Sequence, residues 1–311
     1  MEWITVGQDV TAKLDKQTGH IELRSNGGTL SYNWAQRMGI NKDDVTSIRV
    51  SEGTVFLPKD ARGTFAYYKN LTHLDMSGFD ASRVVNMSCM FFGCTGLTSL
   101  DFSHPETSNV KNTESMFEKC TRLVNLDITN FNTSKVANMQ NMFCGCESLT
   151  NINLANFDTT EAVNMMNLFY GCRSLKSLNL SSFDTSHVVE MSGMFARCVS
   201  LKDLDVSSFN TAQVTNMDEM FSHCKSLVDL DLSGFDTSKV TYMWNMFSSC
   251  DDLTNLNLSN FDLSNVTNAR GMFRRCRKLK TIAMTPIIGE NTQTNNMFLH
   301  CPAELMSITH D

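Results

Sequence analysis

The sequence predicts a repeat solenoid of about ten stacked coils, and three observations predict it. Written in rows of 26, the chain places Phe91, Phe117, Phe143, Phe169, Phe195, Phe221, Phe247 and Phe273 in one column without a gap. A second column holds Leu97, Leu123, Leu149, Leu175, Leu201, Leu227, Leu253 and Leu279, and a third holds Cys94, Cys120, Cys146, Cys172, Cys198, Cys224, Cys250 and Cys276. Each row opens on an L-x-x-L-x-L pattern such as "LKSLNL" at 175–180. A strict period of this length with that head makes each row one coil.

Taken in order, residues 1–44 lie outside the frame. "VTAKLDKQTGHIELR" alternates about the turn-prone "DKQTG" and predicts a β-hairpin, and "NWAQRMGI" predicts one short helix. Together they form an expected N-terminal capping module. Residues 45–70 are a worn first repeat, with Val45, Ile48 and Val50 in the leucine slots, Phe65 in the phenylalanine slot and Tyr68 in the cysteine slot. Eight full repeats occupy 71–278. Residues 279–311 begin a degenerate last repeat at Leu279, Ile282 and Met284, which ends near Phe298 and Cys301, one residue short of register, before a C-terminal cap.

Inside a repeat, the alternation in "SLNLS" predicts a short strand whose leucines face inward. "FDTS" turns the chain, because Asp or Asn bonds backbone amides two residues on. The stretch "VTNMDEMFSHC" spaces Val214, Met217, Met220, Phe221 and Cys224 three, three, one and three apart, which predicts a short helix or 3₁₀ segment. The expected architecture is a right-handed, leucine-rich-repeat-like coil stack with a parallel β-sheet on one face and helical or 3₁₀ segments on the other.

These residues resemble the bacterial BspA-like leucine-rich-repeat surface proteins, whose unit reads roughly LTSLDLSNFDTSNVTNMSGMFSGCSS. Between Val45 and about Cys301, unit after unit keeps the LDLS, FDTS, V-x-N-M and MF-x-x-C blocks. The resemblance implies a cell-surface or secreted protein that binds or adheres to a host or matrix component, with no catalytic residue in the shared motif. The opening "MEWITVGQDV" carries no basic and apolar export signal and the closing "MSITHD" no hydrophobic tail, so the sequence alone leaves a cytoplasmic location as the alternative.

The 311 residues are 41% hydrophobic, enough for a continuous core, and carry a formal charge of −7, which gives no general support to polyanion binding. No apolar run is long enough to span a membrane. Nucleic acid is not an expected partner. The histidines show no paired spacing, and nucleophile-elbow, phosphate-loop and dinucleotide motifs are absent, so no catalytic residue and no cofactor is expected.

Eleven cysteines invite a search for zinc or disulfides. The one tight pair, Cys144 and Cys146, has no second pair or histidine beside it, so no metal site is expected. Equivalent cysteines of stacked coils point the same way, which offers no natural pairing; each reads as a small buried hydrophobe. The column Asn86, Asn112, Asn138, Asn164, Asn216 and Asn268, broken by Glu190 and Tyr242, is expected to bond the backbone of the adjoining coil.

The expected binding face is the outward side of the strands, where Asp75, Asp101, Asp127, Asn153, Asn179, Asp205, Asp231 and Asn257 form one column and Asp203 and Asp229 belong to its neighbour. Such a face suits a protein or glycan partner, with calcium an open possibility. Phe92, Tyr170 and Trp244 break the repeat pattern and are candidate aromatic contacts. "RGMFRRCRKLK" gathers Arg270, Arg274, Arg275, Arg277, Lys278 and Lys280 into a candidate basic patch. The sequence thus reads as a non-enzymatic recognition or adhesion scaffold, with a cytoplasmic partner of a basic protein as the alternative.

Overall fold

The computed structural model of the chain describes residues 2–284 and 288–302. Strands β1 (Ile4–Asp15) and β2 (His20–Leu30) form an antiparallel hairpin whose register slips at a bulge between Gln8 and Val10. Its turn closes with the Gly19 N–H on the Asp15 carbonyl at 2.8 Å. Gly19 sits at φ +71° against the Asp44 carbonyl, a backbone conformation and a closeness that exclude a side chain. A five-residue helix α1 (Trp34–Met38) ends at Gly39 in the left-handed conformation, followed by a 3₁₀ turn Lys42–Asp44.

β2 is the outer neighbour of the first coil along both of that coil's strand segments. It pairs in parallel with β3 (Ser47–Glu52) and β4 (Val55–Phe56), which pair in turn with β5 (His73–Leu74) and β6 (Phe79–Asp80) of the next coil. The end of the core is sealed by Trp34, whose Nε1–H donates to the Thr64 carbonyl at 2.9 Å and whose ring stacks on Tyr68 at 5.8 Å.

From there the coils repeat in register. β7 (Ser99–Asp101) pairs in parallel with β8 (Asn125–Asp127), β9 (Ser177–Leu178) with β10 (Asp203–Leu204), and β11 (Asn255–Leu258) with β12 (Thr281–Met284). Equivalent positions face each other, as Leu100 does Leu126, so the inward leucines stack and the alternating residues point out. The strands are short because "FDTS" turns the chain away within a few residues. A second parallel ladder of single bridges runs through every coil from Asp60 and Asn86 to Asn268 and Gln293.

The back of the coil departs from the expected helix or 3₁₀ segment. In the coil of Phe195, the Met194 and Cys198 N–H groups close turns onto the Met191 and Phe195 carbonyls. Gly193 and Arg197, at the third position of each turn, take positive φ of 61° and 63°. The alternate N–H groups of Met191, Gly193, Phe195 and Arg197 donate across to the next coil. A helix keeps its N–H groups to itself and is ~10 Å across. Coils that stack at ~4.8 Å leave no room for one. Consecutive turns let the back keep the spacing of the front.

The core follows the columns. Phe65, Phe91, Phe117 and their successors to Phe298 form one stack of buried rings, with Phe143 and Phe169 5.5 Å apart and 8° from parallel. The buried threonines of "FDTS" form a polar rail beside it: Thr133 Oγ1 donates to the Asp158 carbonyl and accepts the Asp158 N–H, both at 2.8 Å. Each coil thereby holds the next by a side chain that needs no water.

The asparagine column also differs from its expectation. Oδ1 of Asn112, Asn164 and Asn216 accepts the N–H two residues on in its own coil, at 2.9 Å in each case. Nδ2 of Asn164 and Asn216 donates to Gln140 and Glu190 side chains of the preceding coil. The neighbouring backbone is already committed to the bridge ladder, so the amide turns inward to its own turn. Glu190 fills the same role, accepting the Ser192 N–H at 2.8 Å. The C-terminal cap expected at the end of 279–311 falls in part on residues 303–311, outside the described residues.

Candidate functional site

The outward strand residues Asp75, Asp101, Asp127, Asn153, Asn179, Asp203, Asp205, Asp229, Asp231 and Asn257 are all exposed. Parallel pairing sets Asp101 directly beside Asp127 and Ser177 beside Asp203. The longer column has a local duty that sequence reasoning missed. Oδ1 of Asp205 accepts both the Ser207 hydroxyl at 2.6 Å and the Ser207 N–H at 3.0 Å. Asp75 with Ser77 and Asp101 with Ser103 repeat this turn. The serine hydroxyls, then the backbone N–H groups, hold the carboxyls of Asp75, Asp101 and Asp205 below the usual range. At Asp231 the Ser233 N–H is the larger cause. The D-x-S spacing carried the signal, since the same spacing in "FDTS" reads as a turn.

The carboxylates of Asp203 and Asp229 have no hydrogen-bond or ion-pair partner among the described residues. With Asp205 and Asp231 they make four carboxylates on two consecutive coils, none neutralised by a described salt bridge. A groove of about 560 Å³ continues from them, lined by Asp229, Asp231, Asn255, Asn257, Thr281 and Ala283. Among the described residues no group of three or more His, Cys, Asp or Glu side chains is placed to hold a metal ion.

The three aromatic candidates do not converge. Phe92 is half-buried against Tyr67 at 5.1 Å with Lys119 over its face, and Tyr170, three coils on in the same column, has Arg197 over its ring at 5.7 Å. Trp244 sits four residues ahead of that column and is exposed. The basic stretch divides as well. Arg277 and Lys278 pair with Asp251 and Asp252 at 3.8 and 2.8 Å, while Arg270, Arg274, Arg275 and Lys280 have no ion pair among the described residues. Arg270 and Arg274 share a cleft with Trp244.

One further group escaped the sequence reading. Tyr242 replaces the asparagine that would bond the Trp244 N–H, and Asp218 of the preceding coil accepts it instead at 2.5 Å. Burial pushes the Asp218 carboxyl up to about 6, Glu190 and Glu219 add to the rise, and the Trp244 bond opposes it.

Against known families, the model described as "Mycoplasma protein of unknown function, DUF285" matches residues 49–152, 144–232, 163–285 and 202–309. The chain belongs to the DUF285 family. In this chain the DUF285 matches span the coil stack and begin in β3, after the hairpin and α1. No curated protein matches the chain. Among solved structures it is similar to a leucine-rich repeat protein from Eubacterium ventriosum, at 13% identity over 96% of this chain and 95% of that one, with a TM-score of 0.43. A leucine rich cell surface protein from Faecalibacterium prausnitzii gives 13% identity over 92% and 95%, with a TM-score of 0.27. The T. pallidum leucine rich repeat protein gives 16% over 96% and 91%, also at 0.27. No partner for the DUF285 coil stack follows from these distant likenesses. No helix among its described residues is long and apolar enough to cross a membrane.

Proposed function

We propose that this chain is a non-enzymatic interaction scaffold whose strand face holds a basic segment of a protein partner. The observation that carries this reading is the block of Asp203, Asp205, Asp229 and Asp231, exposed and without salt bridges, on a surface fixed by the stacked coils. A preformed face loses little conformational freedom on binding, so modest contacts add up. Unpaired carboxylates steer a cationic partner and fix its register. In keeping with the resemblance to BspA-like surface proteins, the scaffold works at the surface of a bacterial cell, in adhesion.

A lysine- and arginine-rich peptide, titrated into the full chain by calorimetry, tests the reading. Binding that weakens with salt and is lost when all four aspartates become asparagine supports it. Binding unchanged by the four substitutions, or none at low salt, rejects it. A second reading rests on the cysteines: all eleven are unpaired, and Cys89 and Cys144 are half-buried rather than fully buried, which suits a reducing cytoplasm. Fractionation of the native cell separates the two locations.

A further inference from the structure

We propose that the cleft between Trp244 and Arg274 binds a single acidic sugar, a pyranose ring that carries a carboxylate. The cleft lies on the turn side of the coils, away from the strand face, encloses about 290 Å³, and is lined by Trp244, Asn245, Arg270, Arg274, Asn295 and Asn296.

Three features give it that chemistry. The first is an apolar platform. In the slot of Trp244 the other coils carry Arg62, Ser88, Glu114, Gln140, Met166, Ser192, Asp218 and Arg270, so stacking does not require a large ring there. The indole is nonetheless 40% exposed, and Asp218 secures its backbone N–H. A flat, rigid aromatic face offers apolar contact at low entropic cost, and the C–H face of a pyranose matches it in size and polarity.

The second feature is uncompensated positive charge. In a chain of net charge −7, Arg270 and Arg274 have no carboxylate partner among the described residues, although Arg277 and Lys278 nearby do. Nε of Arg274 is buried and bonded to no protein group. A buried donor of this kind suits an acceptor brought by a ligand, and a guanidinium takes a carboxylate with two parallel bonds.

The third feature is a set of carboxamides at hydroxyl height. Asn295 Oδ1 accepts the Arg270 Nε–H at 3.4 Å, which fixes that arginine and leaves the Asn295 amide donors for a sugar hydroxyl. Gly271 has φ +62°, and a Cβ there would meet Asn245 Oδ1, so a larger residue would have to displace that carboxamide from the floor of the cleft. The volume stands at the lower end of the roughly 300–1,000 Å³ of small-ligand sites, which selects one ring.

The test is calorimetry or saturation-transfer NMR on the full chain with glucuronate, N-acetylneuraminate, glucose and acetate. Saturable binding of either acidic sugar, with neither glucose nor acetate matching it, supports the site, and the better of the two names the source. Trp244→Ala and Arg274→Gln should each weaken binding about tenfold or more. Arg275→Gln, exposed and outside the cleft, should leave it unchanged. Should Arg274→Gln fail to fold, Arg270→Gln replaces it. No saturable binding of either acidic sugar, equal binding of glucose or acetate, or affinity that survives these substitutions overturns the proposal.

Discussion

The thiol of Cys172 donates to the carbonyl oxygen of Phe143, one coil earlier, at 3.2 Å, and that same oxygen accepts the Cys146 N–H at 3.1 Å. The relationship recurs from Cys94 on Phe65 to Cys276 on Phe247 and, with one residue fewer, Cys301 on Phe273. Each column cysteine is thus a small apolar group with a weak donor aimed at a turn carbonyl. Burial pushes these thiols above their ordinary range, and far above it at Cys172 and Cys224, which suppresses the reactive thiolate. A timed titration with an aromatic disulfide reagent near pH 8 should leave every column thiol unlabelled until denaturant is added. Only Cys89 and Cys144 should react beforehand, and Cys144 slowly, since burial pushes it up to about 12.

Ring stacking predicts a sharp difference between the two sides of a coil. Phe169 is fully buried between Phe143 and Phe195, at 5.5 and 6.0 Å. Phe169→Ala should cost about 3–5 kcal/mol in urea unfolding. Asp205→Ala, which loses only the exposed turn bonds from Ser207, should cost about 1 kcal/mol or less.

The threonine rail supplies a test that volume does not confound. Thr185 Oγ1 donates to the Asn210 carbonyl and accepts the Asn210 N–H, and Thr185→Val keeps the shape while leaving both without that partner. The loss should be about 1–3 kcal/mol by denaturant titration. Thr185→Ser should recover most of it.

Asp218 gives a pH signature. Its folded value near 6 exceeds the unfolded 3.8, so the folded chain takes up the proton first as pH falls. The contribution to stability is full below about pH 3.8, declines as pH rises and is lost above about 6. Asp218→Asn keeps an acceptor for the Trp244 N–H and removes the titration. It should raise the melting temperature near pH 8 and match the parent near pH 4. With the group partly open to solvent, the neutral-pH gain is about 1 kcal/mol. A constant offset at all pH values would contradict this account.

The interior was legible because one-dimensional stacking writes each core position many times: Phe91, Leu97 and Cys94 recur until no other reading fits. The back of the coil was misread because three-one-three spacing buries the same Met and Phe side chains in a helix or in successive turns. The discriminating signal was elsewhere. Gly93, Gly145 and Gly171 share one slot and Asn141, Asn167 and Gly193 another, and both slots have positive φ. Glycine and asparagine recur there because they take that conformation most readily, although Lys119 and Arg197 adopt it in the first slot and Glu219 in the second. The candidate sites were half legible. Columns mark Asp205 and Asp231 as outward, and the lone Trp244 and the arginines stand out. That Trp244 shares a cleft with Arg270 and Arg274 depends on which slots of adjacent coils come together, and the sequence reading gathered the arginines without it.

Equivalent slots lie one above another along the stack, and both the core and the candidate sites depend on it. Pulsed electron paramagnetic resonance between spin labels on the exposed column tests this most directly, in a chain whose accessible native thiols are removed by Cys89→Ser and Cys144→Ser, with Asp75→Cys paired in turn with Asp205→Cys, Asp231→Cys and Asn257→Cys. Parallel stacking predicts narrow distances that grow by about 5 Å per coil, roughly 25, 30 and 35 Å across the three pairs. Distances that are broad, or that fail to increase in that order, would contradict it.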